Sequence, residues 1–266
     1  ALEQNLPLLQ PEKLKNEAFV EALREWKADL QIVVAFRMLP EVVWNMPRLG
    51  TFNLHASLLP QYRGAAPINW AVINGDTETG ITTFFLKHEI DTGEVIQQVR
   101  VPIADTDNVE VVHDKLMLLG GKLVVETVDA ILNGTVKPIP QEEMAVVGEL
   151  RPAPKIFKDT CRIDWNQPVK NVYDFIRGLS PYPAAWSELT TPEGETIVVK
   201  VFETEKNIES HQLPAGTIVS DGKKYIKVAA SDGFVSILSL QFPGKKRLKT
   251  DELLRGYRLA DGCKMK

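Results

Sequence analysis

The sequence predicts a doubly wound α/β domain with a mostly parallel sheet, followed by a small all-β barrel of the OB-like type. Two patterns indicate this order. In the first part, an apolar strand pattern at 6–9, a helical stripe between 12 and 30 and a β-branched run at 31–36 form a βαβ unit. In the second part, short β-rich segments alternate with Asp-Gly turns at 221–222 and 232–233, which is typical of a small barrel or sandwich.

Local signals support each element of the first part. Phe19, Leu23 and Trp26 recur at helical spacing, and the run 31–36 is apolar enough for a strand buried on both faces. Pro67 is well placed at the start of a helix, because its missing N–H is not needed there. Composition further predicts strands at 50–55, 81–86 and 95–101 and a long helix at 109–132.

A proline-rich segment divides the chain. Residues 136–158 have little periodicity, and we interpret them as a linker. A helix near 168–179 follows it. Short strands are then predicted at 197–199, 225–228 and 235–238. We therefore expect a first domain at 1–135 and a barrel domain at 159–266.

The composition excludes several classes of protein. The net charge is −4, so any nucleic-acid surface has to be local. Cys161 and Cys263 are far apart, which favours a reducing compartment, the cytoplasm, over a disulfide framework. The histidines form no cluster at metal spacing, and no apolar run approaches the roughly 20 residues that span a membrane. We expect a monomer without a metal or a membrane anchor.

Asn53, His55 and Asp91 are the candidates for chemistry. Residues i and i+2 of a strand point to the same face, and open α/β sheets bind ligands at the ends of parallel strands. An amide beside an imidazole supplies two donors for a developing oxyanion. A carboxylate at Asp91 beside His55 would orient the imidazole and stabilise its protonated form. By spacing alone, a polar strand end and a plain turn also explain these residues.

Two segments at the predicted sheet edge are candidate walls for a flat aromatic ligand. Pro60 stiffens the first segment, and the second follows the strand at 31–36. Main-chain groups of the second can hydrogen-bond the edge of a heterocycle. The residues concerned are Ser57, Leu58, Leu59 and Pro60 in the first segment, and Phe36, Arg37, Met38 and Leu39 in the second. A loop with apolar anchors is the other interpretation of the first.

Three runs around these candidates form a recognisable set. They read NLHASLLP at 53–60, YRGAAPI at 62–68 and IDTG at 90–93. Together they resemble the folate-dependent formyltransferases, in which an Asn-x-His-x-Ser-Leu-Leu-Pro run followed by Asp-x-Gly is specific. The resemblance extends over essentially the whole chain through the segments 153–156, 163–165, 180–186 and 244–247.

The resemblance implies a reaction and its partners. The donor would be 10-formyltetrahydrofolate, and the acceptor the α-amine of methionine esterified to initiator tRNA, for translation initiation. Asn53 and His55 would stabilise the tetrahedral oxyanion, with His55 also a candidate general acid. Asp91 would hold the proton state of His55 and help to deprotonate the attacking amine. The segments Ser57–Pro60 and Phe36–Pro40 would line the folate site.

The family pattern has a part that this sequence lacks, namely the first strand, the first helix, the second strand and a basic loop. The first strand is central in a sheet of order 3-2-1-4-5-6, so we expect a gap beside the strand that carries Asn53. We therefore expect a fragment of a longer gene product that by itself has little or no activity.

A local basic cluster lies between residues 223 and 249, with seven Lys or Arg and one acid. On a small barrel these charges would neutralise tRNA phosphates, whereas a solvated rim is the other interpretation. The residues proposed to bind tRNA are Lys223, Lys224, Lys245, Lys246, Arg247 and Lys249.

Other functions fit the same pattern. A formyltransferase for an amino sugar or a purine precursor, or a hydrolase of the formyl-folate donor, shares the Asn, His and Asp set. The basic second domain favours tRNA, because a small acceptor needs no such surface. An inert fragment that only binds RNA is the alternative from another class.

Overall fold

A computed structural model describes residues 1–35, 37–145 and 148–266 of the chain. It divides into two compact units that interleave along the sequence. Unit 1 consists of residues 1–64, 80–100 and 116–152, and unit 2 of residues 65–79, 101–115 and 153–266. The domain boundaries proposed above stay a prediction.

The described residues form helices, strands and short 3-10 turns. The helices are α1 Glu17–Glu25, α2 Glu41–Trp44, α3 Pro67–Ile73, α4 Val109–Leu132, α5 Val169–Leu179 and α6 Thr250–Gly256. The strands are β1 Gln31–Val33, β2 Thr51–His55, β3 Glu78–Phe85, β4 Val95–Pro102, β5 Ala185–Thr190, β6 Thr196–Asn207, β7 Ile218–Ser220, β8 Ile226–Ala229, β9 Phe234–Gln241, β10 Leu248–Lys249 and β11 Lys264–Met265. Short 3-10 turns cover Leu2–Gln4, Gln141–Glu143 and Asp159–Cys161.

The first sheet has the strand order β1-β2-β3-β4 and is mixed. β1 runs parallel to β2, with Val33 opposite Asn53, whereas β2 and β3 are antiparallel, with His55 opposite Thr82. The α/β class is confirmed, although parallel pairing in the described residues is recorded only between β1 and β2. The expected gap beside the strand of Asn53 is wrong, because β2 is paired on both sides.

The start of the chain departs from the sequence-based expectations. The strand predicted at 6–9 does not form, and Leu6 and Leu8 are exposed. The helix expected between 12 and 30 begins only after Asn16, whose side-chain oxygen accepts a hydrogen bond from the Phe19 N–H at 3.2 Å. β1 is an edge strand with Ile32 45% exposed, so burial on both faces is also wrong.

Helix α3 begins at the predicted residue, and helix α4 has its predicted range. α3 has Pro67 as its first residue and Ile73 as its last; Asn74 caps it, and Gly75 then takes a φ of 69°. α4 continues through its two glycines because Gly120 packs closely on a strand residue: a Cβ atom there would lie 2.8 Å from Leu54 Cδ2. The glycine therefore serves close packing rather than a break in the helix.

The second sheet confirms the barrel. Its strand order is β11-β5-β6-β9-β8-β7, and a bridge between Thr217 and Lys264 nearly closes it. The Asp-Gly pairs at 221–222 and 232–233 form the connections on either side of β8. Helix α5 contributes Val172 and Ile176 to the buried core. A helix thus covers part of the barrel core. Helix α6 was not predicted from the composition.

A buried ion pair on α5 predicts a large effect on stability. Asp174 is 2% exposed and its Oδ1 accepts from Arg177 Nε at 2.7 Å, while Arg177 Nη1 donates to the Asp107 carbonyl at 2.6 Å. We expect Asp174→Ala to lower the free energy of unfolding by about 3–5 kcal/mol, because a buried guanidinium loses its counter-charge. Urea unfolding measures the loss, with the exposed Asp114→Ala as control; a loss below about 1 kcal/mol would contradict the assignment.

Candidate active site

Strand β2 holds Asn53 and His55 on one face of the first sheet. The two residues are separated by one position, so the strand pleat turns their side chains to the same side. Both are nearly buried, with 3% and 6% of their surface exposed. Asn53 lies opposite Val33 of β1 and Phe84 of β3, so its backbone is paired on both sides, and His55 lies opposite Thr82 of β3.

The two ring nitrogens of His55 have different surroundings. Nε2 lies 2.9 Å from the Tyr62 carbonyl oxygen, and since a carbonyl only accepts, Nε2 carries a hydrogen and donates. Nδ1 lies 4.0 Å from Asp91 Oδ2, which is too long for a direct hydrogen bond but close enough for an ion pair. Nδ1 is therefore the ring nitrogen that faces the carboxylate.

Asp91 sits in the loop at 86–94 between β3 and β4. Its φ is 56°, and its Oδ2 accepts a hydrogen bond from the Gly64 N–H at 2.9 Å. Two residues later, a Cβ atom at Gly93 would collide with the Phe85 carbonyl oxygen. The Asp-x-Gly spacing thus has a steric cause, since the loop that presents the carboxylate closes only with glycine at this position.

Asn53 has hydrogen-bonding capacity that the described part of the chain leaves unused. Its Oδ1 is buried and has no partner among the described residues. A buried amide oxygen without a partner costs about 1–3 kcal/mol. Such an atom is expected where a bound ligand completes the hydrogen bonding, and here it lies on the same strand face as His55.

Comparisons with known proteins assign this chain to a family. The formyl transferase family model matches residues 2–128, and the model of the formyl transferase C-terminal domain matches residues 155–258. A methionyl-tRNA formyltransferase from Bacteroides thetaiotaomicron is 88% identical over 265 residues, which cover 100% of this chain and 82% of that protein. The chain belongs to the methionyl-tRNA formyltransferase family. A member from Bacteroides fragilis (strain YCH46) is 82% identical with the same two coverages.

Solved structures share the fold of the enzyme. HypX from Aquifex aeolicus, in complex with tetrahydrofolic acid, matches with a TM-score of 0.60 and 23% identity over 92% of this chain and 43% of its own. The sugar 3N-formyl transferase WlaRD matches with a TM-score of 0.58 and 18% identity over 81% and 73%. At these identities the likeness concerns the fold alone.

The predicted folate segment Ser57–Pro60 is packed into unit 1 of the enzyme. Ser57 is fully buried, with its Oγ donating to the Gln61 carbonyl at 2.6 Å. The Leu59 N–H donates to Thr82 Oγ1 at 3.2 Å, and the Leu59 carbonyl accepts from Gln98 Nε2 at 2.8 Å. Pro60 is buried and Leu58 is partly buried. This segment therefore offers a rigid wall, and its role in folate binding stays a prediction.

The second predicted folate segment is more open. Arg37 is exposed and donates to the carbonyls of Glu12 and Pro11 at 3.2 Å each. Met38 is 74% exposed, and Leu39 is partly buried. Phe36 lies outside the described residues. Met38 is thus free to meet a ligand face, whereas Arg37 is engaged with backbone carbonyls.

The proposed tRNA contacts lie on the barrel. Lys223, Lys224, Lys245, Lys246 and Lys249 are all exposed. Arg247 differs from them, because it pairs with Glu203, donates to Ser239 Oγ at 2.7 Å and stacks over the Phe202 ring at 4.6 Å. The lysines are the charges that remain accessible to phosphate.

Sequence reasoning missed three residues of the site. Tyr62 and Gly64 act through backbone groups, so their side chains carry no signal for these contacts. Gln141 is buried, although it lies in the segment expected to be a linker. In the described ranges, we find no cluster of metal-ligating side chains. None of the helices in those ranges combines the length and the hydrophobicity of a membrane span.

Proposed function

We propose that the enzyme transfers the formyl group of 10-formyltetrahydrofolate to the α-amine of methionyl initiator tRNA, for translation initiation. The observation that carries this proposal is the buried His55 imidazole facing the Asp91 carboxylate at 4.0 Å, with the Asn53 amide on the same strand face. The names of relatives up to 88% identical support the acceptor. They favour it over an amino sugar, a purine precursor, hydrolysis of the donor or RNA binding alone.

The reaction needs one proton acceptor and one proton donor. The neutral amine attacks the formyl carbon, a C–N bond forms, and Asp91 accepts the proton that the new ammonium group loses. The developing oxyanion accepts hydrogen bonds from the Asn53 amide and from the protonated Nδ1 of His55. When the bond from the formyl carbon to N10 of the folate breaks, N10 takes the Nδ1 proton. Transfer of a proton from Asp91 to His55 then restores both groups.

The donor site is proposed from the sheet edge beside these residues. Main-chain groups of Arg37, Met38 and Leu39 would hydrogen-bond the pterin, and the rigid wall Ser57–Pro60 would limit its movement. The backbone of Ser57–Pro60 is held by hydrogen bonds to the side chains of Thr82 and Gln98. A flat ring can therefore bind against this segment without a rearrangement of the protein.

Formation of the product tests the proposal directly. The full-length protein is incubated with 10-formyltetrahydrofolate and methionyl-tRNA, and formylmethionyl-tRNA is separated and counted. We expect stoichiometric loss of the donor formyl group to the aminoacyl-tRNA. Release of formate without formylated tRNA would instead show a hydrolase, and formylation of a small amine in preference to the tRNA would overturn the acceptor.

Charge removal at the barrel gives a separate prediction for tRNA binding. We expect Lys245→Ala with Lys246→Ala to weaken binding and to reduce the slope of log Kd against log salt by about 1 for each lost phosphate contact. Adding Arg247→Ala should change the slope less, because Arg247 is paired with Glu203. Filter binding over a salt series measures both.

The matched control for this prediction is Lys122→Ala with Lys137→Ala, which removes the same charge from exposed positions of unit 1. An equal change of slope in the control pair would show a general charge effect. An unchanged slope in the Lys245 and Lys246 variant would refute the assignment of these lysines.

We propose that the enzyme acts as a monomer in the cytoplasm, which is a reducing compartment. Cys161 and Cys263 are both buried and free, and burial raises the pKa of both thiols. Thiols in this state are unreactive, which fits a protein that is not held together by disulfides.

A further inference from the structure

Gln141 is a buried side chain with all of its main hydrogen-bonding directions engaged. It is 2% exposed and lies in the 3-10 turn Gln141–Glu143. Its Nε2 donates to the carbonyls of Asp91 and Gly93, both at 2.8 Å. Its Oε1 accepts from Arg63 Nε at 3.0 Å and from Arg63 Nη2 at 2.6 Å. One amide therefore joins two segments of unit 1.

Both of these segments support His55 and Asp91. On the donor side, the two carbonyls belong to the loop that presents the Asp91 carboxylate. On the acceptor side, Arg63 lies between Tyr62, whose carbonyl accepts from His55 Nε2, and Gly64, whose N–H donates to Asp91 Oδ2. A shift of the Gln141 amide would thus move the supports of both groups at once.

The left-handed backbone of Asp91 makes this support necessary. A φ of 56° is costly for a residue other than glycine, so neighbouring contacts have to hold it. The carbonyls of Asp91 and Gly93 in this loop are held by a single amide that donates twice. A planar NH2 group of this length supplies two donors from one position, which a hydroxyl or an apolar side chain does not.

We propose that Gln141 is a positioning residue that sets the separation of His55 Nδ1 and Asp91 Oδ2 during formyl transfer. This inference rests on the proposed function and deepens its site. Gln141 itself is buried and acts through the segments that support His55 and Asp91. A misplacement of about 1 Å in a catalytic group can cost about 100-fold in rate. Loss of the two donated bonds therefore lowers kcat while the KM values for the folate donor and for methionyl-tRNA remain close to those of the wild type.

Two variants of the full-length protein test the proposal. Gln141→Glu keeps the size and the acceptor for Arg63 but loses the paired donors to Asp91 and Gly93, whereas Gln141→Met loses both functions. We expect kcat to fall about 10- to 100-fold in Gln141→Glu and further in Gln141→Met. The matched control is Gln97→Glu, since Gln97 Oε1 accepts from Thr127 Oγ1 at 2.7 Å and a carboxylate still accepts there.

A double-mutant cycle separates positioning from general destabilisation. In an Asp91→Asn background we expect Gln141→Glu to reduce kcat by less than about 2-fold, because the group that it positions is already disabled. Thermal unfolding of each variant shows whether it folds, and if Gln141→Met does not, Gln141→Glu carries the test.

Three results would overturn the positioning role: unchanged kcat in a folded Gln141→Glu variant, a rise in KM alone, or a full additional loss in the Asp91→Asn background. A wild-type protein that forms no formylmethionyl-tRNA would instead overturn the proposed function. The wild-type measurement therefore distinguishes the two failures.

Discussion

Replacement of His55 by alanine is expected to lower kcat by about 10³- to 10⁴-fold. The variant loses an oxyanion donor and a general acid in one step, and each function contributes about 10²-fold or more. The loss follows from the geometry at Nδ1, which is the only ring nitrogen left for the reaction once Nε2 donates to the Tyr62 carbonyl. Single-turnover formation of formylmethionyl-tRNA by the full-length protein measures the effect.

A second histidine provides the control for this variant. His113 also lies beside a carboxylate, with Nδ1 3.1 Å from Asp114 Oδ1, but both side chains are more than half exposed. His113→Ala should leave the rate within about 2-fold of the wild type, since exposed pairs of this kind contribute little. A folded His55→Ala variant that keeps more than a tenth of the activity would remove His55 from the mechanism.

The exchange Asp91→Asn is expected to lower kcat by about 10²- to 10⁴-fold. Asparagine tolerates a left-handed backbone better than alanine does, so it keeps the loop at the φ of 56° while it removes the charge. The neutral amide cannot accept the proton of the attacking amine, and it no longer stabilises a protonated His55. The KM values should change little because the carboxylate acts on the reacting atoms.

The control for the carboxylate is Asp114→Asn, an exposed change of the same kind on α4. The free energy of unfolding of Asp91→Asn should remain close to that of the wild type, which separates catalysis from folding. A loss of activity that is matched by a loss of folded protein would contradict a direct role of Asp91.

The sequence predicts the part of the site that depends on strand geometry. The alternation of Asn53 and His55 on one strand face follows from the period of a β-strand, and β2 formed where composition indicated it. Asp91 is different, because its approach to His55 depends on the antiparallel pairing of β2 and β3, which spacing alone does not reveal. The resemblance to the formyltransferases, rather than the spacing, connected the two residues.

The supports of the site could not be predicted from the sequence. The Tyr62 carbonyl and the Gly64 N–H are backbone groups that every residue carries, so no residue type marks them. Gln141 looked like part of a polar, proline-rich connection, and only its burial distinguishes it. The strand predicted at 6–9 is wrong, because this apolar run has no strand partner in the described structure and Leu6 and Leu8 are exposed.

The interleaving of the two units limits how the enzyme can be divided. A cut after residue 152 falls shortly before residue 155, where the C-terminal family match begins, yet it leaves α3 on the other piece. α3 belongs to the same unit as α5, and Asn69 Nδ2 on α3 donates to the Gly178 carbonyl at 2.8 Å. A C-terminal piece that begins at residue 153 would expose this face of α5 to water. The barrel therefore needs residues from the first half of the chain to form its complete unit.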